Sequence, residues 1–162
     1  MRNPENIIKG RIAETIVSEM LQDAGYYVYR FGYEGILQSL IQRGLPRMLE
    51  NDRQAEIVRI MPDFIVMTKE GDVSFVEVKF RTSDILEKET EERILKTARY
   101  WPDARMLFVK PKKPHFLIVR AQDYAKRYTF YPLEREKFLK VSIKSIQKYE
   151  KLVEKYLGIN LA

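Results

Sequence analysis

The chain has 162 residues, 19.3 kDa, a size suited to one domain, and its 45% apolar and 32% charged residues exclude a disordered or collagen-like polymer. It holds no cysteine, which excludes a disulfide framework, a thiol nucleophile and a cysteine metal site. The net charge of +6 is unevenly spread: residues 1–104 carry 15 Lys/Arg against 18 Asp/Glu, residues 105–162 carry 14 against 5, and such an excess attracts a polyanion or is a solvated helix face rich in lysine.

Asn3 and Pro4 are a helix N-cap and a first helical residue. The stripe Ile8, Ile12, Ile16 and Met20, widened by Ala13, Val17 and Leu21, predicts an amphipathic helix that Gly25 ends. Tyr26 to Phe31 is aromatic and β-branched, a strand signature. Ile36, Leu37, Leu40 and Ile41 suggest a short helix that Gly44 and Pro46 interrupt. Residues 34–55 therefore read as a variable insertion: a lid, a partner-binding element or a core helix. From Ile57 a strand pattern is expected, with Phe64–Met67 and Val73–Phe80 flanking the turn Lys69-Glu70-Gly71-Asp72. Thr82, Ser83 and Asp84 can cap a helix running to Tyr100 and closed by Trp101-Pro102. Apolar runs at 106–109 and 116–119 predict two more strands, and a basic amphipathic helix follows from Ser142 to Gly158. The order predicts one α/β domain with a mixed sheet flanked by helices. The polar start Met1-Arg2-Asn3-Pro4-Glu5-Asn6 lacks the apolar core of a signal peptide, and no run of about 20 apolar residues is present to span a bilayer, so the expected location is cytoplasmic, with no membrane partner.

The chemistry-bearing residues lie on the central hairpin. Glu77 and Lys79 are two apart in a strand and share a face. A three-residue loop Lys69-Glu70-Gly71, with Gly71 left-handed, sets Asp63 opposite Glu77 on that face; a four-residue loop sends Asp63 to the other. Val73, Phe75, Val76, Val78 and Phe80 make the strand apolar on both sides, as in a buried central strand. A carboxylate and an ammonium there need each other or a metal. A Glu77–Lys79 ion pair, an alternating strand facing water, and a metal site all meet that need. Hard Mg²⁺ suits such a place because it takes one or two carboxylates and keeps several waters.

Pro62-Asp63 followed by Glu77-Val78-Lys79 resembles the PD-(D/E)XK nuclease superfamily, which includes restriction endonucleases and archaeal Holliday-junction resolvases. The resemblance extends over residues 3–110, apart from the 34–55 insertion, and takes in Glu14 of Gly10-Arg11-Ile12-Ala13-Glu14, similar to the first-helix glutamate of many members. The Gln-x-x-x-Tyr feature of the helicase-nuclease branch is missing. The resemblance implies a restriction-endonuclease-like core and a metal-dependent endonuclease hydrolysing DNA, duplex or branched. It implies Asp63, Glu77 and the Val78 main-chain carbonyl as ligands of Mg²⁺ or Mn²⁺, Glu14 at a second metal or a metal-bound water, and Lys79 acting on the attacking water and the transition-state charge. It leaves a homodimer open as the way to cut two strands.

On its own geometry Glu14 borders the apolar arc of its helix, as a surface ion-pairing glutamate also would. Arg81 shares the Lys79 side and suits a neighbouring phosphate or a solvated strand end. Arg11 belongs to the solvated face of the first helix and joins the nucleic-acid-binding candidates. Lys144, Lys148, Lys151 and Lys155, three or four apart, form a phosphate-tracking face or the wet side of a docking helix. The lone His115 reads as a surface loop residue. The rival functions are a non-catalytic nucleic-acid-binding module on the same fold and an oligomeric assembly protein using 34–55 and the last helix.

Overall fold

The computed structural model of the chain describes residues 3–32 and 53–158. Helix α1 (Pro4–Asp23) begins where Asn3 accepts the Glu5 N–H at 3.0 Å, and its buried stripe is Ala13, Ile16, Val17, Met20 and Leu21. Ile8, expected on that stripe, is exposed, because the helix is buried only from its third turn onward, starting at Ala13. The helix ends in a Schellman motif: Gly25, at φ +95°, donates to Gln22, and Tyr26 donates to Leu21.

Strand β1 (Tyr27–Arg30) follows, and then, past the insertion, helix α2 (Arg53–Arg59), where the strand pattern from Ile57 was expected. The helix Ile36–Ile41 and its interruption lie outside the described residues. Strands β2 (Phe64–Met67) and β3 (Val73–Phe80) form the expected hairpin, and α3 (Lys88–Tyr100) crosses over to β4 (Arg105–Val109). The crossover helix starts later than Thr82–Asp84 suggested. Ser83 caps only a local turn at Ile85, and Asp84 is drawn to Lys110. Strand β5 (Phe116–Arg120), the short helix α4 (Ala121–Ala125), β6 (Tyr131–Pro132) and a 3₁₀ turn (Leu133–Arg135) lead to α5 (Ile143–Leu157), capped by Ser142.

The six strands make one mixed sheet in the order β1-β2-β3-β4-β5-β6, antiparallel except for the β3–β4 pair. A parallel pair needs a crossover, and α3 provides it. The even-numbered β3 residues, Val76 and Val78, pack with Phe64, Leu107 and Ile118 beneath α1 and α5. On the opposite face Met106, Phe108 and Val119 pack with Ile94 of α3. Glu77 is paired with Met106 and Lys79 with Phe108, so the odd-numbered β3 side chains point into the α3 layer. At its near end Trp101 stacks edge-on against Phe31 and Phe75 and donates its indole N–H to the Ile57 carbonyl. Tyr26 binds the Phe138 and Lys140 backbone, and Tyr100 binds Glu56, whereas Tyr27 and Tyr29 on the edge strand are half-exposed.

His115 is buried, not in a surface loop: its Nδ1 is 2.8 Å from the Lys110 carbonyl and its Nε2 3.2 Å from Glu154 of α5. The charged neighbours Lys112 and Lys113 hid a residue whose two ring nitrogens both face acceptors within the fold. Among the described residues no helix is long and apolar enough to cross a membrane.

Candidate active site

The turn decides the site. Gly71 takes φ +93°, Thr68 N–H donates to Asp72 O at 2.9 Å, and Gly71 N–H donates back to Thr68 O at 3.1 Å. This is the three-residue loop, and it pairs Phe64 with Val76 and Met67 with Val73. Continued one step past the ladder, the same register sets Asp63 against Glu77. Asp63 is pinned there from both sides. Its carbonyl accepts the Phe31 N–H at 2.8 Å, and its Oδ2 accepts the Val78 N–H at 2.8 Å.

Glu77 is 1% exposed at the centre of the sheet. Its Oε1 takes two cations, Lys79 Nζ at 2.6 Å and Arg93 Nε at 2.9 Å. Its Oε2 is buried and has no hydrogen-bond partner among the described residues. An unpaired carboxylate oxygen in the interior is costly and points to a missing cation or donor.

The two carboxyl groups titrate in opposite directions. Burial pushes Asp63 from 3.8 up to about 8, the Glu77 charge adds to that, Lys79 and the Val78 N–H oppose it, and Glu14 contributes a smaller upward push. Burial would also raise Glu77, but Lys79 and Arg93 outweigh it and hold its carboxyl below the usual range. The pair thus carries one charge at neutral pH, with the proton on Asp63, the pattern of two like charges sharing a site. Functional sites concentrate such opposed shifts.

Among the described residues no group of three or more His, Asp or Glu is gathered as a metal cage. The donor set at hand is the carboxylate pair, and it suits Mg²⁺ or Mn²⁺, which accept two carboxylates and complete their shell with water. The unpaired Glu77 Oε2 is the observation that fits a cation. Asp63 and Glu77 are therefore the residues that would hold one.

The other expected residues are distributed as follows. Glu14 lies on α1, across the sheet from the Glu77 side chain, where it pairs with Arg30 at 3.2 Å, and only its charge reaches Asp63. Val78 is held at its N–H by Asp63. Arg81 is spent within the protein: Thr90 Oγ1 accepts from its Nε at 3.2 Å and its Nη2 at 2.6 Å, and the Phe80 carbonyl accepts from its Nη1. Arg11 is exposed on α1. Lys144, Lys148, Lys151 and Lys155 are exposed on α5, which packs on α1 and so lies on the other face of the sheet from Glu77. Lys148 pairs with Asp23 at 2.6 Å, Lys155 lies over Tyr156, and Lys113, Lys144, Lys148 and Lys151 line a groove of about 740 Å³ shared with Glu150 and Glu154.

Sequence reasoning missed Arg93. Its signal was present: it falls three residues after Thr90 and four before Thr97, both buried on the sheet-facing side of α3. It also missed α2, whose Arg59 joins Lys79, Arg81, Arg93 and Lys96 around a cleft of about 420 Å³. No protein-family model matches the chain, and no curated protein matches it in sequence.

Proposed function

We propose that the chain is a metal-dependent nuclease with a restriction-endonuclease-like core, hydrolysing phosphodiester bonds of DNA. The observation that carries this reading is the convergence of Asp63, Glu77 and Lys79 in the middle of the sheet, with one Glu77 oxygen unpaired among the described residues. The element order supports it: a helix, an antiparallel three-strand unit carrying the aspartate and the E-x-K, a crossover helix, and a parallel fourth strand. A bound Mg²⁺ or Mn²⁺ supplies an activated water and a positive charge at the phosphate oxygens. Asp63 and Glu77 would hold the ion, and Asp63 would give up its proton to solvent in doing so. Lys79 Nζ, next to Glu77, orients the water and offsets charge that builds on the phosphorus side. The lysines of α5 and Arg11 hold DNA away from the reacting bond, by contacts that carry no sequence information.

A second reading has one observation in its favour. Arg93 and Lys79 together neutralise Glu77 without any metal, as a nucleic-acid-binding module with a silent site would have it. Both readings are tested by incubating linear, nicked, branched and single-stranded DNA with the protein in Mg²⁺ or Mn²⁺, beside Glu77→Ala and Lys79→Ala. Cutting that needs metal and is lost in both variants establishes the nuclease and shows its preferred DNA structure. Salt-sensitive binding with no cutting by the wild type selects the binding module. Neither cutting nor binding at low salt refutes both.

A further inference from the structure

The cluster around Glu77 holds one more cation than a D…E-x-K site requires. Lys79 and Arg93 donate to the same oxygen, Oε1, at 2.6 and 2.9 Å, while Oε2 has no partner among the described residues. The two cations differ in freedom. Lys79 is fixed on the same strand two residues away, and its side chain is 23% exposed. Arg93 reaches in from α3 and is 33% exposed, and both it and Lys79 border the 420 Å³ cleft. Its second tie, from Nη1 to the Arg59 carbonyl, is long at 3.4 Å.

A divalent ion arriving at Asp63 and Glu77 puts two further positive charges beside two that already crowd one oxygen. Like charges within a few ångströms and partly out of water repel strongly, so the arrangement relaxes by releasing whichever cation can move. Arg93 is the freer of the two, because it is the more exposed and reaches Glu77 from a different element, with the cleft beside it to turn into. That cleft also has the Arg59 and Lys96 side chains, and Lys96 is already occupied by Glu56 at 3.3 Å. Four glutamates on the cleft wall leave it near neutral while Arg93 stays on Glu77, and an Arg93 freed from Glu77 would give it a net positive charge for an anion. A guanidinium is suited to this exchange, since its planar fork binds a carboxylate or a phosphate with the same donors.

We propose that Arg93 is a metal-displaced phosphate clamp: it pairs with Glu77 in the metal-free protein, leaves it when a divalent ion binds beside it, and turns into the cleft to hold a phosphate of the DNA next to the bond being cut. This rests on the nuclease reading and adds an ordered sequence to it, metal before tight DNA binding. It makes Arg93 a competitor of the metal and a partner of the substrate at once, so one substitution acts in opposite directions on the two affinities.

The test uses the full chain with Mg²⁺, Mn²⁺ and a short DNA duplex as probes. Titration calorimetry with Mn²⁺ should show Arg93→Gln binding the ion about fivefold more tightly than wild type, the removal of one partly exposed competing charge. DNA affinity should then be measured in Ca²⁺, which takes the same oxygen ligands and polarises water less. There Arg93→Gln should bind about tenfold more weakly, with a salt dependence shallower by about one phosphate contact. Arg93→Lys, which keeps the charge but not the fork, should fall between. A direct reading on the wild type covers the case in which the variants fold poorly. The ¹⁵Nε–H signal of Arg93, protected by Glu77 in metal-free protein, should lose its protection on adding Mg²⁺, while that of Arg81, bonded to Thr90, stays as it was. An Arg93 signal that keeps its protection in saturating Mg²⁺, or a variant with unchanged metal affinity, overturns the clamp and leaves the nuclease reading standing. Wild-type protein that binds neither Mg²⁺ nor Mn²⁺ sinks both.

Discussion

Replacing Asp63 by asparagine separates a site built for a metal from one built for stability. Asp63 is half-buried beside Glu77, and its carboxyl is pushed from 3.8 up to about 8, burial first and the Glu77 charge second. In the unfolded chain the group loses its proton near pH 4. Between these two values the native state holds a proton that the unfolded state lacks, so raising the pH favours unfolding. The stability this group contributes is fully present below pH 3.8 and is lost as the pH rises toward 8. Each pH unit in that window is worth about 1.4 kcal/mol, a ceiling of roughly 5–6 kcal/mol over the whole range. Half-burial lets water share the charge, and the realised loss between pH 5 and pH 8 is about 2–3 kcal/mol. Asp63→Asn keeps an acceptor for the Val78 N–H and removes the titration. In EDTA its advantage over wild type should therefore grow by about 2–3 kcal/mol from pH 5 to pH 8, or about 5–10 °C in Tm for a domain of this size. Urea and thermal melts at pH 5, 6, 7 and 8 measure it. Millimolar Mg²⁺ should then raise the Tm of wild type at pH 8 and leave Asp63→Asn unmoved, because binding the ion replaces the proton that the fold would otherwise retain. Parallel stability profiles for the two proteins across this range would refute the shared-proton account of the pair.

Three further expectations concern the frame that carries the site. Gly71→Ala meets no neighbour within 4 Å but must hold φ +93°, so urea denaturation should show a loss of about 1–2 kcal/mol, and an unchanged midpoint would mean that the loop has another register open to it. His115→Phe keeps a flat aromatic ring in the buried site and leaves the Lys110 carbonyl without its 2.8 Å partner, which should cost about 1–3 kcal/mol in the same assay. Ser142→Ala removes the oxygen that accepts the Ser145 N–H at 3.1 Å, and a loss of about 1 kcal/mol is expected, with hydrogen exchange speeding up first in the opening turn of α5.

Much of this molecule could be read from local rules. The Asn3-Pro4 start and Gly25 end of α1, the hairpin around Gly71, the two later strands and the Ser142 cap each depend on residues a few positions apart, so the sequence settles them almost alone. The pairing of Asp63 with Glu77 belongs with these, because a three-residue loop and a period of two fix which side chains share a face. The strand expected from Ile57 did not form, since apolar residues in a short run fit a helix equally well and only the seat against Trp101 decides.

What the tertiary structure alone decided is who stands beside whom across the sheet. Arg93 comes 16 residues after Glu77 and reaches it only because α3 crosses back over the parallel β3–β4 pair. Glu14 and the lysines of α5 are on the sheet's other face for the same reason: α1 and α5 bury their apolar stripes against Val76 and Val78, and Glu77 points the opposite way. His115 became buried when α5 closed over it through Glu154. Sequence periodicity tells a residue's face within its own element. Which element covers that face is set by the layer packing of the whole chain, and the charge on Glu77 and the proton on Asp63 follow from that packing.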